Sequence, residues 1–131
     1  VKDTVAAASV SASWSSGAVS VIAEHVWALD NFVATDLGGL AGANAKPEPS
    51  ASNIEVAFEA DGVTYAVGYQ MTDEAFFAGL PEEKVLIALS TEIKGGAGLS
   101  VEYSMSDDYG TADGGTGKDS SQFLFQLAVE F

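Results

Sequence analysis

The stretch NIEVAFEADGVTYAVGYQM, residues 53–71, decides the fold. On either side of Asp61–Gly62, apolar residues occupy every second position, over 54–60 and again over 63–71. Strict alternation of this length is typical of a β-strand with one apolar face, and Asp-Gly is a preferred two-residue hairpin turn. The stretch therefore predicts two antiparallel strands that share an apolar face.

The same alternation recurs on both sides of this hairpin. It predicts five further strands, over residues 6–15, 18–30, 84–93, 99–106 and 122–131, and no convincing helix. Only over 18–30 is the alternation irregular, because Ile22 and Val26 lie opposite the other apolar residues. Tight turns are expected at Ser16–Gly17, Asp61–Gly62 and Lys94–Gly98, whereas the connections 31–52, 72–83 and 107–121 are long. Short turns that alternate with long loops predict an all-β, antiparallel up-and-down meander of about seven strands, in one domain over residues 1–131.

The composition limits what the chain can bind. The formal net charge is −14, from 19 acidic residues and five lysines, so phosphate backbones and anionic lipid headgroups are repelled. The absence of cysteine excludes disulfides and thiolate metal ligands, and we expect no cofactor. Yet 47% of the residues are hydrophobic, which is unusual in so acidic a chain. Alternation explains this combination if one face of each strand avoids water.

Alternation alone fits a soluble β-sandwich as well as a transmembrane β-barrel, because both have one apolar face per strand. Two features favour the barrel. The predicted strands carry no charged residue on the apolar face, and their polar face consists of small residues with interspersed glutamates. Aromatic rings lie near the strand ends, as at the two lipid–water interfaces of a barrel. The interface candidates are Trp14, Trp27, Tyr65, Tyr69, Phe123 and Phe131.

In a barrel the polar face would line the lumen. The residues assigned to this wall are Glu24, Glu55, Glu59, Glu92, Glu102, Glu130 and Lys84. Carboxylates around an open pore raise the local cation concentration and repel anions, which predicts a selectivity role. Alternatively, these groups only keep the lumen hydrated, and the sequence leaves both interpretations open.

Four segments resemble the C-terminal half of the legiobactin-uptake family of siderophore porins: AEHVWALDNF (23–32), GYQMTDEAFFAGLPEEKVLIALS (68–90), SVEYSMSDDYGTADGGTGKDS (100–120) and QLAVEF (126–131). The resemblance implies an outer-membrane barrel that passes siderophores or other small solutes. The last strand, which ends on Phe131, resembles the C-terminal signature that the bacterial barrel-insertion machinery recognises. This resemblance implies periplasmic short turns and extracellular long loops.

Relative to that family, the upstream part of the barrel is missing, and seven strands leave two unpaired edges that lipid does not tolerate. We therefore expect a missing N-terminal half or other copies of the chain to close the barrel. The alternative is an open sheet that assembles between chains into fibres or sheets. The other expected partners are outer-membrane lipid, the insertion machinery and a small solute such as a siderophore, but not nucleic acid.

No grouping of residues points to catalysis, and we expect no enzyme. His25 is the only histidine and lies on an apolar strand face, and no serine lies in a G-x-S-x-G elbow. Four weak calcium-ligand candidates lie in DDYGTADGGTGKD (107–119), but their spacing lacks the EF-hand order, so we expect a polar loop and no metal. These candidates are Asp107, Asp108, Asp113 and Asp119.

The connection 72–83 contains two adjacent aromatic residues, Phe76 and Phe77. Their rings could enter the headgroup layer, fold into the mouth of the barrel or pack the loop against itself. The first and third positions are the preferred interpretations.

Overall fold

The computed structural model describes residues 5–33, 46–93 and 96–129. They form seven β-strands and two short 3₁₀ turns, at Phe76–Ala78 and Thr111–Asp113. The strands are β1 (Ala7–Ser16), β2 (Val19–Ala28), β3 (Ser50–Ala60), β4 (Val63–Asp73), β5 (Glu83–Ile93), β6 (Ala97–Asp107) and β7 (Asp119–Val129). A helix long and apolar enough to span a membrane does not occur among the described residues.

All seven strands belong to one antiparallel sheet in which sequence neighbours are also spatial neighbours, in the order β1 to β7. The predicted up-and-down meander is therefore confirmed. The sheet is open, because β1 and β7 form its two edges and do not pair with each other. The short turns lie at one end of the sheet and the long connections at the other, which we call the turn end and the loop end.

The β3–β4 hairpin has the turn that its sequence predicts. Asp61 and Gly62 both have positive φ, 52° and 76°, as a type I′ turn requires. At the loop end β3 to β7 extend further than the apolar alternation indicates, because ladder pairs such as Ser50–Asp73 continue through polar residues. By contrast, β2 ends at Ala28, two residues before its predicted limit. The long connections cover residues 29–49, 74–82 and 108–118, so the second and third are three and four residues shorter than predicted.

Successive hairpins are staggered along the strand direction. Val19, the first residue of β2, faces Phe58, two residues before the end of β3. Val63, the first residue of β4, likewise faces Thr91, two residues before the end of β5. Each hairpin is thus shifted along the strands by two residues, about 6.6 Å, for every two strands, which are about 9.6 Å wide. If the turns all lie at one level, this shift corresponds to a strand tilt of about 35° from the direction perpendicular to that level. This tilt is typical of β-barrels.

One face of the sheet is apolar from edge to edge, and we call it the apolar face. A single row of paired residues crosses all seven strands on this face: Trp14, Val21, Val56, Val67, Ile87, Tyr103 and Phe123. Because successive residues of a strand point to opposite faces, this register brings the apolar positions of every strand to the same side.

No other described part of the chain covers the apolar face. The exposed fraction is 43% for Val56, 46% for Tyr65, 40% for Leu89 and 60% for Phe125. Buried apolar residues among those described are confined to Ala28, Ala75 and Tyr109. The described sheet thus lacks the second layer that a β-sandwich needs, and its apolar face is free to contact lipid or another protein surface.

Aromatic contacts join the three long connections at the loop end. Phe32 of the β2–β3 connection packs against Phe77 of the β4–β5 connection, with ring centroids 5.3 Å apart. Phe76 contacts Phe77 edge-on and also contacts Tyr109 of the β6–β7 connection, at 5.8 and 6.4 Å. The connections therefore fold onto one another around these four rings, which we call the loop-end cluster.

Candidate functional site

The residues predicted to line a lumen share the face opposite the apolar row, which we call the polar face. The register places on it Glu24, Glu55, Glu59, Glu92, Glu102 and Lys84. Glu130 lies outside the described residues. The polar face of the described strands thus carries five carboxylates and one ammonium group, a formal charge of four negative. Its remaining positions are mostly serine, alanine, glycine, threonine and amide residues.

One row of the polar face is polar at every strand. Its members are Ser11, Glu24, Asn53, Gln70, Lys84, Ser106 and Ser120. The next row toward the turn end contains the apolar residues Ile22 and Leu86 beside Glu55 and Gly68. A continuous band of hydrogen-bonding groups therefore crosses the sheet, and we call it the polar band.

A depression of about 330 Å³ lies over the middle of the polar band. Glu24, Asn53, Gln70 and Lys84 contribute to its lining, as does Glu55 of the adjacent row. No hydrogen bond or ion pair joins the charged groups of Glu24, Glu55 or Lys84 to another described residue. These charged groups are therefore available to a solute.

The shape of this depression depends on Gly68 and Leu86, which also line it. A side chain at Gly68 would approach two atoms of Leu86 to 3.5 Å, in ordinary van der Waals contact. Glycine at this position therefore leaves open a space that any other residue would fill.

The predicted interface aromatics lie on the apolar face. Trp14 and Tyr65 are two residues from the turn-end limits of β1 and β4, and Tyr69 and Phe123 are four residues from the loop-end limits of β4 and β7. Trp27 is next to the last residue of β2, and Phe131 lies outside the described residues. When the stagger of the strands is included, Trp14 and Tyr65 lie at one level near the turn end, and Trp27, Tyr69 and Phe123 lie at a second level nearer the loop end.

The apolar face is free of charged residues except at the loop end, where the strands extend past their predicted limits. Four acidic residues lie there, Asp73, Glu83, Asp107 and Asp119. The Tyr69 hydroxyl lies near the Glu83 carboxylate, so this ring points its polar end toward the acidic residues. The part of the apolar face that lacks charged residues therefore ends at these four acidic residues.

A histidine–serine contact, which the sequence did not predict, occurs on the apolar face. His25 Nδ1 lies 2.8 Å from Ser52 Oγ, and the His25 ring stacks on Trp27 with centroids 5.2 Å apart. On its other side, His25 faces Val10 in the sheet, so the described strands place no carboxylate there to orient the ring. Nucleophilic catalysis needs such an orienting group, so this geometry favours a structural role for the contact.

One carboxylate of the acidic loop, that of Asp108, is hydrogen-bonded within the loop. Asp108 accepts hydrogen bonds from the hydroxyl and the amide of Thr116, at 2.6 and 2.7 Å, and from the amide of Tyr109, at 2.9 Å. The bonds from Thr116 hold the pKa of Asp108 below its ordinary value. Asp107 and Asp119 are neighbours in the register of β6 and β7 and lie on the apolar face, whereas Asp113 lies in a 3₁₀ turn. Within the described ranges, no three acidic or histidine side chains are arranged to hold a metal ion.

The loop-end cluster also bounds an apolar depression of about 250 Å³ on the polar face. Phe77 and Leu80 line it together with Phe32, Val26 and Ala51. Of the two preferred positions for Phe76 and Phe77, packing within the loops is the one observed. The Phe77 ring turns toward the polar face, and its position relative to a headgroup layer stays a prediction.

Comparison of the chain with protein families, curated proteins and solved structures found no match. The resemblance to siderophore porins therefore stays a prediction that rests on the quoted segments alone.

Proposed function

We propose that this chain forms part of the wall of a porin-like channel for small solutes in a bacterial outer membrane. The observation that carries the proposal is the uncovered apolar face, which crosses all seven strands without a charged residue between its two ends. Water disfavours so much exposed apolar surface, whereas hydrocarbon accepts it.

The dimensions of the apolar face support a membrane setting. On β4 it runs from Val63 to Met71, which is about 27 Å along a strand. With a tilt of about 35°, this length spans about 22 Å of membrane thickness, close to the apolar band of about 25 Å in outer-membrane barrels. The acidic residues at the loop end begin where this band stops.

The polar face supports a hydrated lumen with a preference for cations. Five carboxylates against one ammonium group produce a negative potential along the wall. Such a wall favours cations and neutral solutes over anions. If siderophores are the solutes, as the resemblance implies, forms without net negative charge should pass most readily.

The directions of the two edge strands limit how many further strands can close the sheet into a barrel. In a meander of seven antiparallel strands, β1 and β7 run in the same direction. Antiparallel pairing at both edges therefore requires an odd number of additional strands. These strands can come from more of the same polypeptide or from other copies of the chain.

Ion conductance in planar bilayers tests this function. The full-length protein should conduct, with a cation preference measured from the reversal potential in a salt gradient. Joint replacement of Glu55, Glu59 and Glu92 by glutamine should reduce that preference, whereas Glu82→Gln, outside the strands, should leave it unchanged. A folded, lipid-inserted protein that does not conduct would rule out the channel.

Self-assembly is a second candidate function, and the open edges favour it. Neither edge strand has a partner on its outer side among the described residues, and β7 is exposed along its length. Unpaired edges are templates for pairing with other chains. Filaments that form in detergent-free solution and are visible by electron microscopy would favour this function over the channel.

A further inference from the structure

The depression over the polar band separates opposite charges. Glu24 and Glu55 lie on β2 and β3 at one side, Lys84 lies on β5 at the other, and Asn53 and Gln70 lie between them. In the same row, Glu24 and Lys84 are three strands apart, about 14 Å between backbones. They form no ion pair with each other, so each side presents an unneutralised charge.

We propose that this depression binds a small zwitterion, such as a short peptide, with its ammonium group toward Glu24 and Glu55 and its carboxylate toward Lys84. The proposal names a solute class for the proposed channel and in that sense rests on it. Asn53 and Gln70 supply amide donors and acceptors to the backbone of the solute.

The charge arrangement explains why a solute with both charges should bind better than a solute with one. A simple cation attracted by Glu24 is repelled by Lys84, and a simple anion meets the opposite conflict. A zwitterion aligned along the polar band satisfies both sides. An extended dipeptide spans about 7 Å, and the long side chains of Glu24 and Lys84 can cover the remaining distance.

The depression has the size and lining that this solute needs. Its volume of about 330 Å³ is at the lower end of the range for small-molecule sites. Gly68 leaves space at its floor, and Leu86 and Ile22 border the polar groups with apolar surface. Apolar surroundings strengthen charge–charge attraction relative to open water.

Binding to the folded, detergent-solubilised full chain tests the proposal without requiring conduction. The probes are glycylglycine, the cation glycinamide and the anion N-acetylglycine, titrated while NMR shifts of the Asn53 and Gln70 side-chain amides are followed. Wild-type protein should bind glycylglycine about fivefold more tightly than either singly charged probe, as expected for partly exposed ion pairs. Equal affinity for all three probes would overturn the proposal.

Variants assign the effect to the named charges. Lys84→Gln should remove the preference for glycylglycine over glycinamide, and Lys84→Arg should retain it. Glu24→Gln should remove the preference over N-acetylglycine, whereas Glu82→Gln, which lies outside the strands and outside the depression, should leave the relative affinities of the three probes unchanged. If Lys84→Gln and Glu24→Gln both bind like wild type, the inference is wrong, even if cation-selective conductance supports the channel. Zwitterion-selective binding without conductance would instead support the inference and contradict the channel.

Discussion

The Tyr109 hydroxyl donates a hydrogen bond to Thr72 Oγ1, joining the β6–β7 connection to the end of β4. The direction is fixed because the single hydroxyl proton of Thr72 is donated to the Pro81 carbonyl oxygen, 2.6 Å away. Tyr109 in turn accepts from the Ala75 amide at 3.1 Å. Both Tyr109 and Thr72 are buried, so this chain of bonds is protected from water. These bonds connect the β6–β7 connection to β4 and to the β4–β5 connection at the loop end.

Replacing Tyr109 by phenylalanine should destabilise the loop end. The ring contact with Phe76 remains, but the Ala75 amide and Thr72 Oγ1 each lose a partner in a buried setting. Leaving such groups unsatisfied costs about 1–3 kcal/mol. Urea unfolding of the lipid-inserted protein measures this loss, and Tyr65→Phe, on the exposed apolar face, should cost much less. Equal stabilities for the two variants would show that the Tyr109 hydroxyl contributes nothing.

Gly115→Ala should disrupt the same region by a steric route. A Cβ at this position would lie 2.0 Å from the Tyr109 carbonyl oxygen, so the backbone must move. Gly98→Ala is the matched control, because a Cβ there meets no atom within 4 Å. We expect a loss of about 1–3 kcal/mol for Gly115→Ala and little change for the control, measured by thermal unfolding. A Gly115→Ala variant as stable as wild type would contradict the observed loop packing.

An arginine in the middle of the apolar face should oppose membrane insertion. Val67 lies in the central row of this face, and a charge at the bilayer midplane of a barrel costs about 2–4 kcal/mol. Ser90→Arg, on the polar face, should cost far less than Val67→Arg. The free energy of unfolding from lipid vesicles compares the two variants. If Ser90→Arg were the more costly change, the assignment of the two faces would be reversed.

The β6–β7 loop should lose order only in acid. The pKa of Asp108 is held below its ordinary value of 3.8 by bonds that favour the carboxylate. A lowered pKa contributes stability above the unfolded-state value, and this contribution is lost as the pH falls through the folded-state value. Thr116→Val removes the hydroxyl donor and should raise the pKa of Asp108. Carboxyl chemical shifts during an acid titration measure it, and an unchanged pKa would contradict the role of Thr116.

The sequence predicts the sheet well because alternation reports directly on a face that avoids water. It underestimates the length of β3 at the loop end, since Ser50 and Ser52 pair within the ladder without contributing an apolar signal. The sequence also identifies most members of the polar face, because they occupy the positions between the apolar ones. Their roles in a channel stay predictions.

Contacts between distant segments could not be predicted in the same way. The His25–Ser52 contact joins residues 27 positions apart, and it depends on the register that β2 and β3 adopt across a long connection. Tyr109 is a lone aromatic residue in a loop of glycine and aspartate, so no periodicity indicates that it is buried. Likewise, the separated charges of Glu24 and Lys84 emerge only when four strands are placed in register.

Spin-label accessibility along β4 in lipid vesicles tests the central claim most directly. The chain lacks cysteine, so a single cysteine at each position from 63 to 71 carries a unique label. Labels at the odd positions, on the apolar face, should be accessible to oxygen dissolved in hydrocarbon, and labels at the even positions to a water-soluble nickel complex. If the labels at positions 65 and 67 are as accessible to nickel as the label at position 66, then the apolar face does not contact lipid.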